Sequence, residues 1–483
     1  MKQPNILLIM ADQYRGDCLG INGHPDVKTP YLDTLATHGV NFENAYTACP
    51  SCIPARAALF TGMGQKNNGR PGYKDGVDWN YPTTLAGELS KAGYYTQCVG
   101  KMHVHPLRNN MGFHNIDLHD GYLGYYRSSN TKNCEHQAFA DDYFYWLKEE
   151  KGVSADVTDT GLHCNSWVAR PWIHDESLHP TNWAASRSID FLRRRDRSKP
   201  FFLMTSFVRP HPPLDAPACY FDMYNNMDLA KSPIGDWADE KIYKTEGRVY
   251  DSSHITPDPE LLRQAKVGYY ACITHLDHQI GRIIMALQED GSYPDTFIMF
   301  VSDHGELLGD HNLFRKSMPY EGSVRVPMVI RPHIGASWNR GAVLPNVTEL
   351  RDIMPTFLDL AGAEIPSTVD GVSLIGAIAE QSGTREYLHG EHTAGSGSNH
   401  YIVTEKDKFI WFSQTGDEQY FYLENDPNEL CNKIKDPDSQ ERIGLLRSYL
   451  VQELKGRREG FTNGDKLIVG ADTWDVDFEN QYI

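Results

Sequence analysis

Residues 6–10 read Ile-Leu-Leu-Ile-Met without a polar break, and the run closes on Asp12. A short, continuously apolar run of this kind reads as a strand buried on both faces, as in a parallel sheet. The segments that follow keep an alternation. Residues 84–92 predict a helix and 94–99 a strand; 184–195 a helix and 200–207 a strand; 261–289 a long amphipathic helix and 296–301 a strand. Residues 326–330 form a further apolar run, and 351–360 predict a helix. Strands alternating with helices imply an α/β fold, a large and mainly parallel sheet sandwiched by helices. At 483 residues with 40% hydrophobic content the chain can fill such a core. The pattern then changes. Short runs at 401–403, 409–412 and 420–423, followed by a helical stretch at 443–454, predict a smaller α+β subdomain with an antiparallel sheet. The boundaries expected are 1–384 for the large domain and 385–483 for the small one.

Residues 52–62 read Cys-Ile-Pro-Ala-Arg-Ala-Ala-Leu-Phe-Thr-Gly. Proline is tolerated in a first helical turn, so Pro54 can open a helix with Cys52 at its start. A helix N-terminus favours anions beside it. Arg56, four residues on, can swing back toward Cys52 or toward a bound oxyanion. Cys49 and Cys52 also form a C-x-x-C pair, readable as a redox motif or as half of a zinc site, but no second ligand pair stands at suitable spacing. Other reactive residues follow predicted strands: Asp12-Gln13, Lys101 and His103 after Gly100, His211 within Arg209-Pro-His-Pro-Pro, and Asp303-His304 within Ser302-Asp-His-Gly-Glu306. Ligands of parallel sheets bind beyond the carboxyl ends of the strands. Carboxylate and amide oxygens suit hard cations.

The stretch 52–62 resembles the signature of the type I sulfatases, C-x-[PA]-[SA]-R-x-x-x-x-T-G, within the alkaline phosphatase superfamily. Asp12-Gln13, the Cys52 motif and Arg209 to Pro213 are also similar to the phosphonate monoester hydrolases. The resemblance implies an alkaline phosphatase-like sheet. It implies that a formylglycine-generating maturation enzyme converts Cys52 to Cα-formylglycine, whose hydrate is the nucleophile. It implies a divalent metal, Ca²⁺ ahead of Mg²⁺ or Mn²⁺, held by Asp12, Gln13, Asp303, His304 and an oxygen of the modified Cys52. Many sulfatases carry two adjacent aspartates where this chain has Asp12-Gln13. Arg56, Lys101, His103, His211 and Lys316 complete the implied catalytic set. Lys101 is a point charge for the sulfate or for the aldehyde hydrate, Lys316 is the second sulfate-binding lysine (with Arg315 as its neighbouring rival), His211 contacts the sulfate and protonates the leaving oxygen, and His103 is the base of the second step. The function expected is a sulfuric ester hydrolase releasing inorganic sulfate from a sulfated carbohydrate or an aryl sulfate. The alternative is a phosphonate or phosphate ester hydrolase of the same superfamily. Those enzymes tend to carry uncharged hydroxyl side chains where this chain has Lys101 and His103, which favours sulfate. A non-catalytic binding protein using the same pocket would require Cys52 to stay a thiol.

Lys+Arg 46 against Asp+Glu 64 gives a formal net charge of -18, which excludes a nucleic-acid partner and confines anion binding to a local cationic site. No apolar run reaches the length of a membrane span. With no signal peptide ahead of residue 6, the expected location is cytoplasmic, or periplasmic if a leader has been trimmed. Nine cysteines at irregular spacing do not make a disulfide framework. Residues 105–180 and 215–257, including the Tyr-rich stretch 122–126, read as excursions shaping a pocket for a small sulfated substrate. Arg70, His105, Arg108 and His392 are candidates for a second anionic group there.

Overall fold

The computed structural model describes residues 3–121, 140–238, 258–336, 338, 340–380, 385–393 and 395–473. The stretch 122–126 and parts of both predicted excursions lie outside them. The main sheet has eight strands. From one edge they run β5 (Asn115–Leu118), β4 (Tyr95–Gly100), β6 (Phe201–Pro210), β1 (Asn5–Asp12), β7 (Thr296–Ser302), β8 (Met328–Arg331), β2 (Val40–Phe42) and β9 (Ala342–Leu344). The five from β5 to β7 are parallel, as is the β2–β9 pair. The run at 326–330 departs from that rule, because β8 lies antiparallel to both β7 and β2. A parallel return needs a crossover element. The chain between β7 and β8 carries one-turn helices only, so it folds straight back. A two-stranded ladder, β3 (Ala45–Tyr46) with β10 (Thr348–Glu349), stands apart.

The apolar run of β1 is explained by its two covered faces. Leu7, Ile9 and Ala11 enter one core with α1 (Pro30–Thr37), α4 (Asp142–Lys151), α5 (Pro180–Arg194) and α6 (Pro259–Glu289). Ile6, Leu8 and Met10 enter the other with α2 (Cys52–Thr61), α3 (Leu85–Lys91) and α7 (Ile353–Ala361). Side chains alternate faces along a strand, and full burial of each Leu or Ile contributes about 1.5–3 kcal/mol. The long helix starts earlier than its periodicity suggests, because Asp258 caps Pro259–Glu289 by accepting from the Glu260 amide at 2.9 Å.

The C-terminal sheet runs β11 (Leu388–His392), β12 (Asn399–Val403), β13 (Lys408–Phe412) and β14 (Glu418–Phe421), all antiparallel. One face packs Leu388, Tyr401, Val403 and Ile410 against Tyr46, Ala48 and Leu307 of the large unit. The other packs Ile402, Phe409 and Trp411 against α8 (Gln440–Leu454). β11 escapes a sequence reading because Leu-His-Gly-Glu-His shows no apolar alternation, although it is mostly buried. No described helix is long and apolar enough to cross a membrane.

Candidate active site

The parallel strands deliver their carboxyl ends to one place. Asp12 ends β1, Lys101 follows β4, and Asp303 and His304 follow β7. Neighbouring tips are stitched together: Lys101 N donates to Ser206 O at 2.8 Å, His211 N to Asp12 O at 3.0 Å and Gln13 N to Asp303 Oδ1 at 3.1 Å. Two glycines permit the close approach. A Cβ on Gly100 (φ 98°) would stand 1.9 Å from Ser206 O, and one on Gly305 would stand 2.0 Å from Gly322 O. Opposite these tips, α2 begins at Cys52, so the helix N-terminus faces the cluster.

Cys52 Sγ lies 3.2 Å from His304 Nε2 and 3.7 Å from Asp12 Oδ1. His304 Nε2 is 3.5 Å from Asp12 Oδ1 and 3.7 Å from Asp303 Oδ1. One donor atom from each of Asp12, Cys52, Asp303 and His304 falls within 4.8 Å of the others, and all four residues are buried. His304 Nδ1 sits 2.9 Å from Gly305 O, an acceptor, so that nitrogen carries the proton and the Nε2 lone pair turns to the cluster. Burial, then Lys316, pushes this imidazole down to about 4, which keeps it neutral. Two carboxylates and a neutral imidazole around one point fit a divalent cation.

Cations surround the same point. The Lys101 ammonium hydrogen-bonds Asp12 Oδ2 and stands 3.8 Å from Cys52 Sγ. Lys316 Nζ donates to Gln13 Oε1 at 2.7 Å and reaches Cys52 Sγ at 3.4 Å. Burial favours a proton on Asp12, but Lys101 above all holds its carboxyl well below the usual range. Burial likewise opposes charge on Lys101, and Asp12 outweighs it, so this lysine stays protonated. Burial, then Asp12, pushes the Cys52 thiol up, so as a thiol it is a poor nucleophile at neutral pH. His211 is half-buried, with Nδ1 2.8 Å from Pro212 O. Burial and Lys316 hold it well below its ordinary value. The His103 ring stands edge-on to Tyr73 at 5.9 Å, and Asp120 Oδ1 accepts from the Met102 and His103 amides at 2.8 and 3.0 Å.

Arg56 departs from expectation. Rather than turning toward Cys52 or an open anion site, its fully buried guanidinium donates to Asp303 Oδ2 at 3.0 Å, Lys101 O at 2.8 Å and Ser206 Oγ at 2.9 Å. It braces three strand tips from behind. The anion candidates Arg70, His105 and Arg108 are engaged elsewhere: Arg70 under Trp79 and on Tyr81, His105 by Asp78 at 3.5 Å, and Arg108 by Asp142 at 2.6 Å. Arg315 directs a guanidinium nitrogen to Asn165 O at 3.3 Å, whereas Lys316 reaches the cluster. Cys49 and Cys52 are both buried and stand as free thiols. Sequence reasoning left Glu306 without a role. It accepts from Gln13 Nε2, which turns Gln13 Oε1 toward Lys316. Its place three residues after Asp303, on the same strand end, was the available signal.

The sulfatase family model matches residues 4–363, and a model described as N-sulphoglucosamine sulphohydrolase, C-terminal, matches 309–456. An arylsulfatase of Clostridium perfringens is 56% identical over 470 residues, covering 97% of this chain and 98% of that protein. The multifunctional alkaline phosphatase superfamily protein PehA of Trinickia caryophylli is 29% identical, covering 95% and 96%. Among solved structures, the phosphonate monoester hydrolase of Agrobacterium radiobacter superposes with a TM-score of 0.78 at 25% identity, over 93% of this chain and 95% of that one. The eight-stranded sheet, the strand-tip cluster and these likenesses agree: the chain belongs to the sulfatase family and is a sulfatase of the alkaline phosphatase superfamily.

Proposed function

We propose that this sulfatase hydrolyses sulfate monoesters of aryl or carbohydrate alcohols at the Cys52 centre, with residue 52 matured to Cα-formylglycine by a separate enzyme. The observation that carries the reading is the meeting of Asp12, Asp303, His304 and residue 52 at one point, between Lys101 and Lys316. A divalent cation, Ca²⁺ ahead of Mg²⁺ or Mn²⁺, would be held by Asp12, Gln13, Asp303 and His304 and would supply Lewis-acid polarisation of oxygens beside it. Lys101 and Lys316 hold the non-bridging oxygens of the ester and offset the charge that grows on them. Residue 52, once matured and hydrated, would supply an oxygen already deprotonated beside Lys101 for the new bond to sulfur, as the bond from sulfur to the alcohol oxygen breaks. His211 is the acid for that oxygen; the bound anion offsets Lys316 and favours its protonation. His103 is the base that would take the second hydroxyl proton as the bond from carbon to the sulfate oxygen breaks, which leaves the aldehyde for rehydration by water. Arg56 holds the strand tips that carry these groups. The name of the Clostridium relative supports the aryl class, and that of the C-terminal family model, which names a sugar sulphated on nitrogen, supports a carbohydrate skeleton only.

The test pairs chemistry with mass. Protein co-expressed with a formylglycine-generating enzyme should carry the aldehyde in its residue-52 peptide and release sulfate from an aryl sulfate faster than it cleaves an aryl phosphonate. Full activity with an unmodified thiol refutes the nucleophile. A reversed preference favours the phosphonate monoester hydrolase alternative, which the structural likeness supports.

A further inference from the structure

The C-terminal sheet closes against the loop that leads into Cys52. Glu391 N donates to Ala48 O at 2.7 Å, and Thr393 N to Pro71 O at 2.9 Å. On the next strand Asn399 Nδ2 donates to Ser317 O at 3.0 Å, and Ser317 N donates to Pro50 O at 3.1 Å. Asn399 is thus two hydrogen bonds from the residue before Ser51, and it is bonded to the neighbour of Lys316.

His392 and Asn399 stand directly opposite each other in the β11–β12 register, which puts their side chains side by side on one face. They are 5% and 1% exposed. Among the described residues His392 Nε2 and Asn399 Oδ1 have no hydrogen-bond partner. Asn399 spends its amide hydrogens on Ser317 O and Gly397 O (2.9 Å), so the oxygen is left as an acceptor. Buried polar atoms are seldom left unmatched, so a pair of acceptors of this kind calls for donors. His392 is also within the electrostatic reach of His304 and Lys316, and burial pushes it down to about 4. A neutral imidazole does not serve as the charge partner of a second anion, the role its position in the sequence suggests.

The geometry points to His392 and Asn399 as a subsite for two neighbouring hydroxyls of the departing alcohol, beside the sulfate ester, and so to a polyhydroxylated substrate of the carbohydrate class. This rests on the sulfate-ester reading of the Cys52 centre. Lys316 holds the sulfuryl oxygens while each of the two neutral side chains accepts from one O–H of the alcohol. A simple aryl sulfate leaves both atoms unmatched.

The experiment measures kcat/KM for 4-nitrophenyl sulfate and for a panel of monosulfated methyl glucopyranosides, in the matured wild type, His392→Phe and His392→Gln. Wild type should prefer one pyranoside sulfate. The Phe variant should lower the ratio of pyranoside to nitrophenyl turnover by about 10–100-fold, mainly through KM, the size expected for one buried hydrogen bond. His392→Gln, which restores a polar atom, should recover most of that ratio, and this keeps the test valid if the Phe variant is poorly folded. A ratio unchanged within about twofold in both variants overturns the subsite and leaves a buried water as the partner of these atoms. Wild type that cleaves the nitrophenyl ester and no pyranoside overturns it too. Turnover of neither ester takes down the sulfate-ester reading itself, and the subsite with it.

Discussion

Among the described residues, two groups of three or more side chains bring histidine and carboxylate donor atoms within 4.8 Å of one another, and they have opposite characters. At the strand tips, His304 Nε2, Asp12, Asp303 and Cys52 converge on one point and are flanked by Lys101 and Lys316. In the C-terminal sheet, His389, Glu391 and His400 also lie within 4.8 Å by their donor atoms. There His389 Nε2 and His400 Nδ1 are 3.4 Å apart while the ring centroids are 5.6 Å apart with planes 12° from parallel. The two ring radii take up nearly the whole difference, so each nitrogen points at the other and no third point is shared by both lone pairs. Glu391 is held by Arg457 at 2.8 Å. Residue types alone do not separate a reactive centre from a structural knot; the direction of the lone pairs and the placement of the cations do.

The strongest way to break the contrast is Cys52→Ala. It should lower sulfate release on the order of 10⁴-fold or more while the thermal midpoint stays close to wild type, as expected for removal of a nucleophile. Retained activity would place the chemistry elsewhere. Chelation comes next: activity should vanish on dialysis against EDTA and return with Ca²⁺ or another divalent ion. Metal content by elemental analysis should be unchanged in His400→Ala, and a loss of bound metal in that variant would erase the distinction between the clusters. Lys316→Ala should cost roughly 10²–10³-fold in kcat/KM, the range for loss of one preorganised charge contact. Arg457→Met strikes the second cluster, leaving Glu391 buried without its cation, and should destabilise the fold by about 3 kcal/mol in denaturant titration. The smallest effect is in pH. Burial pushes His389 down to about 4. In the unfolded chain it protonates near 6.5, so from there to about pH 4 the unfolded state binds the extra proton and stability falls as pH falls. His389→Gln should flatten that part of the stability-pH curve. An unchanged slope would assign it to other buried histidines.

The same contrast marks what could be read from sequence. Asp12, Lys101, His211 and Asp303 were legible because each ends a strand whose apolar run or β-rich pattern announces it, and parallel topology sends all such ends to one edge. Arg56 was legible as part of a motif, but its partners Asp303 and Ser206 lie far along the chain, and helical spacing near Cys52 says nothing about them. β11 was illegible because a strand that buries His, Glu and His hides the alternation by which strands are recognised. With it went the pairing of His392 with Asn399, a matter of register between strands that no local pattern encodes.

The stitch running from Asn399 through Ser317 to Pro50 makes the C-terminal hairpins part of the backing of the loop that leads into residue 52. They cannot be traded as a cassette. A graft from a cousin would bring new groups to the mouth, yet it would also have to reproduce that amide and its spacing, or residue 52 would lose its support.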